Sequence, residues 1–197
     1  MMKEKLIDII VSKSLQVADR PIFELSSGKK SEIYIDCKKT TCNGKGKFLI
    51  GNLIFDMISH LNIDAIGGLT LGADPIASAV SLIGWTKGHL INAFVVRKAP
   101  KGHGLQYFIE GDVKKGNKVI IVDDVVTTGG STIEAIQKAR KFGLDVIKTI
   151  VLVDRQEGGR ENILKENVAF DAIVTKEELL AIYYRTNRTN KLNLRSD

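Results

Sequence analysis

The chain has 197 residues, 29 Lys and Arg against 23 Asp and Glu, a formal net charge of +6 and 44% hydrophobic residues. That length fits one compact domain, and 26% charged residues with only 3 prolines exclude a disordered, collagen-like or proline-rich chain. The longest stretch without a charge, Pro75 to Thr86, is shorter than the about 20 apolar residues that span a bilayer. Charge also interrupts every apolar stretch of residues 1–20, so no signal peptide is expected. The expectation is a soluble, cytoplasmic protein with a single domain over 1–197.

Taken in order, Leu6, Ile7, Ile10, Val11 and Leu15 recur at helical spacing and predict an opening helix. Ile33 to Asp36 alternates and predicts a strand in a small N-terminal piece. Cys37 and Cys42 could supply half a zinc site, but no second Cys or His pair follows them. Two reduced thiols near a strand end are expected instead. Gly44 to His60 predicts a helix whose apolar face is Phe48, Leu49, Leu53, Ile54 and Met57.

From Ala65 onward the rhythm changes. Short apolar runs (Ala65–Gly67, Ala93–Val96, Val119–Val122, Thr149–Val153, Phe170–Val174) alternate with helical segments (Asp74–Trp85, Ser131–Phe142). Continuous Val/Ile runs suit parallel strands buried on both faces. The predicted class is therefore α/β, with a central, mostly parallel sheet flanked by helices. Asp74-Pro75 predicts an N-cap followed by a proline at the first helical position. Ser131-x-x-Glu134 predicts a capping box. Ligands in such sheets bind outside the carboxyl ends of the strands, which directs attention to Gly67–Asp74, Arg97–Gly104 and Asp123–Ser131.

The excess positive charge is dispersed: Lys29-Lys30, Lys38-Lys39, Lys114, Lys115, Lys118, then Arg185, Arg188, Lys191 and Arg195. No block reaches the about five consecutive like charges of a nucleic-acid arm, and aromatics are too sparse for base stacking. Solubility accounts for most of these residues, and a small polyanionic substrate would account for the rest.

The segment Lys118-Val-Ile-Ile-Val-Asp123-Asp124-Val-Val-Thr127-Thr128-Gly129-Gly130-Ser131 carries the most chemistry. A buried strand delivers two adjacent carboxylates, then a small-residue turn, then a helix. Thr127, Thr128 and Ser131 offer hydroxyls, the glycines expose backbone N–H groups, and the helix start adds positive dipole. Together these predict a phosphate cradle. The carboxylates would repel a phosphate, so they are expected to face sugar hydroxyls, a metal ion or developing positive charge. A dinucleotide fold is disfavoured because G-x-G-x-x-G is absent. Gly111-x₄-Gly116 resembles a nucleoside-triphosphate loop, but Asn117-Lys118 follows it and it precedes a strand.

The stretch VIIVDDVVTTGGS resembles the phosphoribosyl pyrophosphate (PRPP) motif of type I phosphoribosyltransferases. Phe23–Asp36 resembles the N-terminal signature of orotate phosphoribosyltransferases, and Val96–Gly104 resembles their catalytic loop. Gly67–Pro75 sits where the family keeps its pyrophosphate loop. The resemblance runs in order over nearly the whole chain. It implies a hood contributed by about 20–40 and the C-terminal segment. It also implies transfer of phosphoribose from PRPP to orotate with Mg²⁺, which would ride on substrate oxygens with no dedicated protein ligand. Lys101, Asp123 and Asp124 are the implied catalytic residues. PRPP contacts are implied for Arg97, Lys98, Lys101, His103, Asp123, Asp124, Val125, Val126, Thr127, Thr128, Gly129, Gly130 and Ser131, with Lys98 directed towards a neighbouring subunit.

Thr127 and Arg155 match the orotate contacts, and Tyr34 lies where an aromatic ring lines the base. A guanidinium fork also suits a planar substrate bearing a carboxylate. A homodimer is implied, with the loop over 97–104 completing the neighbour's site. The chain departs from some relatives at Ser26, where they carry lysine, and at Leu71-Gly72, where they carry tyrosine–lysine. Pyrophosphate binding is therefore expected to lean on Arg97 and Lys101. A purine acceptor and a PRPP-sensing RNA-binding regulator are the competing readings. No nucleic-acid or membrane partner is expected.

Overall fold

A computed structural model describes residues 1–24, 28, 30–99 and 108–193, with side chains described as far as 187. Helix α1 (Met2–Lys13) buries Leu6, Ile7, Ile9 and Ile10. Leu15 lies beyond it, in strand β1 (Leu15–Val17). The Ser14 hydroxyl shares a buried hydrogen bond of 2.8 Å with that of Thr40, and the Asp36 N–H donates to the Ser14 carbonyl at 2.9 Å, where the chain passes from helix to the β1 pairing. β2 (Phe23–Glu24) and β3 (Lys30–Ser31) form a small antiparallel pair, and β4 (Ile33–Ile35) pairs antiparallel with β1.

The short helix α2 (Lys38–Thr41) follows, between the buried thiol of Cys37 and the exposed thiol of Cys42, both of them free. In α3 (Gly44–Ile58) the Asn43 side chain accepts from the Gly46 N–H, and Leu49, Ile50, Ile54, Phe55 and Ile58 are buried. Phe48, expected on the apolar face, is more than half exposed. The core-facing line of α3 runs one residue later, and one residue is about 100° around a helix.

β5 (Ala65–Leu69), α4 (Asp74–Thr86), β6 (Asn92–Val96), β7 (Ile109–Gly111), β8 (Lys118–Val126), α5 (Gly130–Phe142), β9 (Asp145–Asp154), α6 (Gly159–Leu164), β10 (Ala169–Thr175) and α7 (Lys176–Asn193) complete the chain. The main sheet has the order β10-β9-β8-β5-β6-β7, parallel except for β7, which pairs antiparallel at the edge. Ile120, Val122, Ile150 and Leu152 face one core with residues of α1, α3, α4 and α7. Val119, Ile121, Val146 and Val151 face the other, with Ala135 and Ile136 of α5 and Ile163 of α6. Burying each such side chain contributes about 1.5–3 kcal/mol. Cover on both faces is why these strands read as unbroken Val/Ile runs.

From β5 the chain proceeds to β6 on one side, and from β8 it proceeds to β9 on the other. The order therefore reverses between β5 and β8, and the gap above their carboxyl ends is where such a sheet binds its ligand. No described helix is long and apolar enough to cross a membrane.

Candidate active site

Strand β8 ends on the acidic pair. Asp123 is buried; its carboxylate accepts from the Thr132 hydroxyl at 2.7 Å and from the Asp124 N–H at 2.9 Å. Burial, then the neighbouring charge of Asp124, pushes its carboxyl up to about 7. Burial also raises Asp124, against the opposing pull of Lys38. Burial and mutual repulsion thus hold these two carboxyl groups against ionisation.

Beyond the pair the chain turns through Thr127 and Thr128 to Gly129, whose φ of 87° lies in the left-handed region. A side chain there would be strained and would also press on the Gly159 carbonyl at 3.1 Å. Gly129 is the N-cap of α5, so the predicted capping box is corrected. Ser131 lies within the first turn without capping it, and Glu134 pairs with Lys138 at 2.6 Å. This frees Ser131 to line the cleft. Thr127, Thr128, Gly129, Gly130 and Ser131 surround a cavity of about 200 Å³ at the helix N-terminus, with Val125, Val126 and Thr132 also in its wall. Such a terminus presents unpaired N–H groups and positive dipole to an anion.

A second compartment, of about 250 Å³, adjoins it and shares Asp123, Val125 and Ser131 with the first. Its opposite wall is the turn between β5 and α4, where Thr70, Leu71 and Gly72 contribute no cation. The Thr70–Leu71 peptide is cis. A Cβ on Gly72 would lie 2.6 Å from an Asp124 carboxylate oxygen, so this turn is bare where it meets the pair. Asp74 is the first residue of α4 and Ala73 its N-cap, one residue earlier than predicted. The Asp74 carboxylate accepts from Thr70 Oγ1 at 2.7 Å, tying the turn down.

A third compartment, of about 320 Å³, lies on the far side of Asp124 and is lined by Tyr34, Ile35, Lys38, Thr127 and Arg155, among others. Tyr34 stacks against Phe23 with ring centroids 5.6 Å apart. Arg155 is almost wholly buried; its guanidinium donates to Glu157, to the Ile33 carbonyl and to the Ser31 hydroxyl. The end of β9 is thereby fastened to the N-terminal hairpins, and the ring and the guanidinium share one wall.

Three residues escaped the sequence reading. Thr132 orients Asp123 and followed immediately after the motif, so its hydroxyl was the available signal. Gly72 makes the close approach to Asp124, which nothing local announces. Lys38 lines both the second and the third compartments and pairs with Asp36 at 2.9 Å. Its hydrogen bond to Asp36 raises the ammonium pKa, with the charges of Asp36 and Asp124 adding to the effect against partial burial.

The predicted basic loop divides. Lys98 lines the second compartment beside its own chain's acidic pair, and also a neighbouring cavity that holds Arg97 and Glu110. Arg97 faces Glu110 at 3.6 Å. Lys138 of α5 donates to the carbonyls of Arg97 and Lys98, both at 2.9 Å, and sits 4.3 Å over the Phe108 ring. Ser26, Lys101, Gly102, His103 and Gly104 lie outside the described residues.

The phosphoribosyl transferase domain model matches residues 47–179. Orotate phosphoribosyltransferase of Aquifex aeolicus is 47% identical over 178 residues, 90% of this chain and 97% of the relative. The orotate phosphoribosyltransferase of Mycobacterium tuberculosis H37Rv superposes with a TM-score of 0.78 at 34% identity in its Fe(III) dicitrate complex, over 91% of this chain and 99% of that one. In complex with PRPP it superposes with a TM-score of 0.75 at 31% identity, over the same shares of the two chains. Overall likeness of this extent, together with an acidic pair and a hydroxyl–glycine turn at the switch point of the sheet, shows that the chain belongs to the orotate phosphoribosyltransferases.

Proposed function

We propose that the chain transfers the 5-phosphoribosyl group of PRPP to orotate, giving orotidine 5′-monophosphate and pyrophosphate in pyrimidine (UMP) biosynthesis. The observation that carries this reading is the buried Asp123–Asp124 pair set between an anion cradle and an arginine–tyrosine compartment. The cradle over Thr127–Ser131 takes the 5′-phosphate through backbone N–H groups, hydroxyls and the helix dipole. Asp123 and Asp124 hold the ribose hydroxyls. As the bond to pyrophosphate lengthens, the ribosyl ring gains positive charge, and the pair's negative charge favours that state. Charge prearranged at a site that excludes water is among the largest contributions to catalysis. Arg155, Thr127 and Tyr34 receive the base. Arg97, Lys98, Lys101 and His103 serve the pyrophosphate, with Lys101 favouring its departure.

The hard carboxylate oxygens of Asp123 and Asp124 suit Mg²⁺. Among the described residues no cluster of three or more His, Cys, Asp or Glu is placed to hold a metal. In this reading Mg²⁺ rides on the PRPP oxygens, with the acidic pair nearby, where it would neutralise phosphate charge. No covalent intermediate with the protein is needed.

A homodimer is part of the reading. Leu82 and Trp85 of α4 and Leu71 of the preceding turn are each more than 60% exposed. Exposed apolar side chains on a helix are suited to association, and Leu71 belongs to the cleft wall. In this reading a partner seated beside the cleft wall completes the site with its own loop over 97–104. Sedimentation as a monomer at working concentration would remove this element. A cytoplasmic location accords with a pathway of soluble, phosphorylated substrates.

The test of the reading is direct. With PRPP and Mg²⁺, the protein should release pyrophosphate when orotate is added, and release should stop with EDTA. Consumption of hypoxanthine or adenine in place of orotate would transfer the reading to a purine enzyme. Retention of RNA without turnover would favour the regulator.

A further inference from the structure

The second compartment draws its charges of opposite sign from different parts of the fold. Asp123 and Asp124 form part of its wall, and the β5–α4 turn opposite them offers Leu71 and Gly72. A polyanion such as pyrophosphate entering this space would meet two carboxylates and a turn without a cation. Gly72 supplies none, and a Cβ there would require the Asp124 carboxylate to shift. Among the described residues, the cations that line this compartment are Lys98 and Lys38.

Lys38 comes from a different part of the fold, the first residue of the short helix α2. Its ammonium is held from one side by the Asp36 carboxylate at 2.9 Å, and its side chain is about half exposed at the cleft. An ammonium has three donors, so one ion pair leaves two for a ligand. The base compartment, which Lys38 also lines, already has the guanidinium of Arg155. The second compartment differs in that, among the described residues, its cations come from outside the β5–α4 turn, on Lys38 and Lys98.

We propose that Lys38 is a pyrophosphate-binding residue, supplying from α2 the cation that the β5–α4 turn lacks. This inference rests on the phosphoribosyl-transfer reading. Its position between the two compartments puts Lys38 within the lining that the departing group would meet.

The test compares the wild type with Lys38→Met, which keeps the length of the side chain and removes the charge, and with Lys38→Arg. Because Lys38 is exposed, the variants should fold; Lys38→Gln serves if the methionine variant does not. The reverse reaction, from orotidine 5′-monophosphate and Mg²⁺-pyrophosphate, supplies both KM values in one assay. Removing one charged hydrogen-bonding partner should raise the pyrophosphate KM about ten- to hundredfold. The orotidine monophosphate KM should stay within about threefold, and Lys38→Arg should recover most of the loss. An unchanged pyrophosphate KM in Lys38→Met overturns the inference. So does an equal or larger rise in the nucleotide KM, which would place Lys38 on the base. A wild type that consumes no orotidine monophosphate at all overturns the underlying reading instead.

Discussion

Two turns of the same sheet face each other across the cleft, and they are built on opposite plans. The β8–α5 turn carries its own binding groups: hydroxyls at Thr127, Thr128 and Ser131, and backbone opened by Gly129 and Gly130. The β5–α4 turn carries almost none. Leu71 points outward, Gly72 is bare against Asp124, and the cations beside it arrive on Lys38 and Lys98. Neighbours in sequence thus supply the polar groups of one turn, and neighbours in space supply the cations beside the other. The first turn should therefore fail through changes to its own residues. The second should fail through changes made elsewhere, or through anything added to it.

The acidic pair between the turns should show the largest effect. Asp123→Asn is expected to lower kcat by a factor on the order of 10²–10³, as loss of a prearranged transition-state charge does. The same variant should be more stable. A carboxyl raised from its ordinary 3.8 to about 7 contributes stability that is present at low pH and lost as pH rises through about 7. Asparagine has no charge to bury, so above neutral pH the variant's Tm should exceed that of wild type by about 2–6 °C. The gap should close towards pH 4. In the wild type, kcat/KM for PRPP should fall on the acid side of about 7, as the pair takes up a proton. A variant that is inactive and also less stable at pH 8 would show that the pair is held for structure.

Gly72→Ala tests the bare turn. Its methyl group would press on the Asp124 carboxylate from 2.6 Å, and displacing a catalytic group by about 1 Å can cost up to about a hundredfold in rate. Calorimetry should show a fold that is nearly intact. Unchanged kcat would mean that Asp124 has room to move and that the turn is not bare for this reason.

Gly129→Ala tests the self-contained turn. The left-handed backbone and the nearby Gly159 carbonyl both oppose a side chain, at about 1–3 kcal/mol. The PRPP KM should rise by about tenfold or more as N–H groups leave the 5′-phosphate, with the orotate KM changing less.

The smallest effect is expected at Thr132. Thr132→Val removes the hydrogen bond that holds the Asp123 carboxyl down and in place. Activity should fall about three- to tenfold, and the acid limb of the pH profile should move to higher pH. An acid limb shifted downward would contradict the assigned hydrogen bond.

The sequence alone determined the alternation of strands and helices, the burial of β8 and β9, and the chemistry of Asp123–Ser131. Each rests on contacts between near neighbours in the chain: period-two and period-3.6 patterning, a Gly-rich turn and adjacent side chains. Where a residue depended on distant partners, the pattern misplaced it. Leu15 left its helix to pair with Ile35, Phe48 faced solvent because the core lies one residue further round, and Ser131 did not cap because Gly129 does. Lys38 is the fullest case. In sequence it is one of a pair of dispersed lysines; in the fold, α2 sets it beside Asp124, some 86 residues away along the chain, in a cavity walled by β5 and β8. Electrostatics acts through space, so the partners that give a charge its role are chosen by packing, and only the tertiary structure decided them.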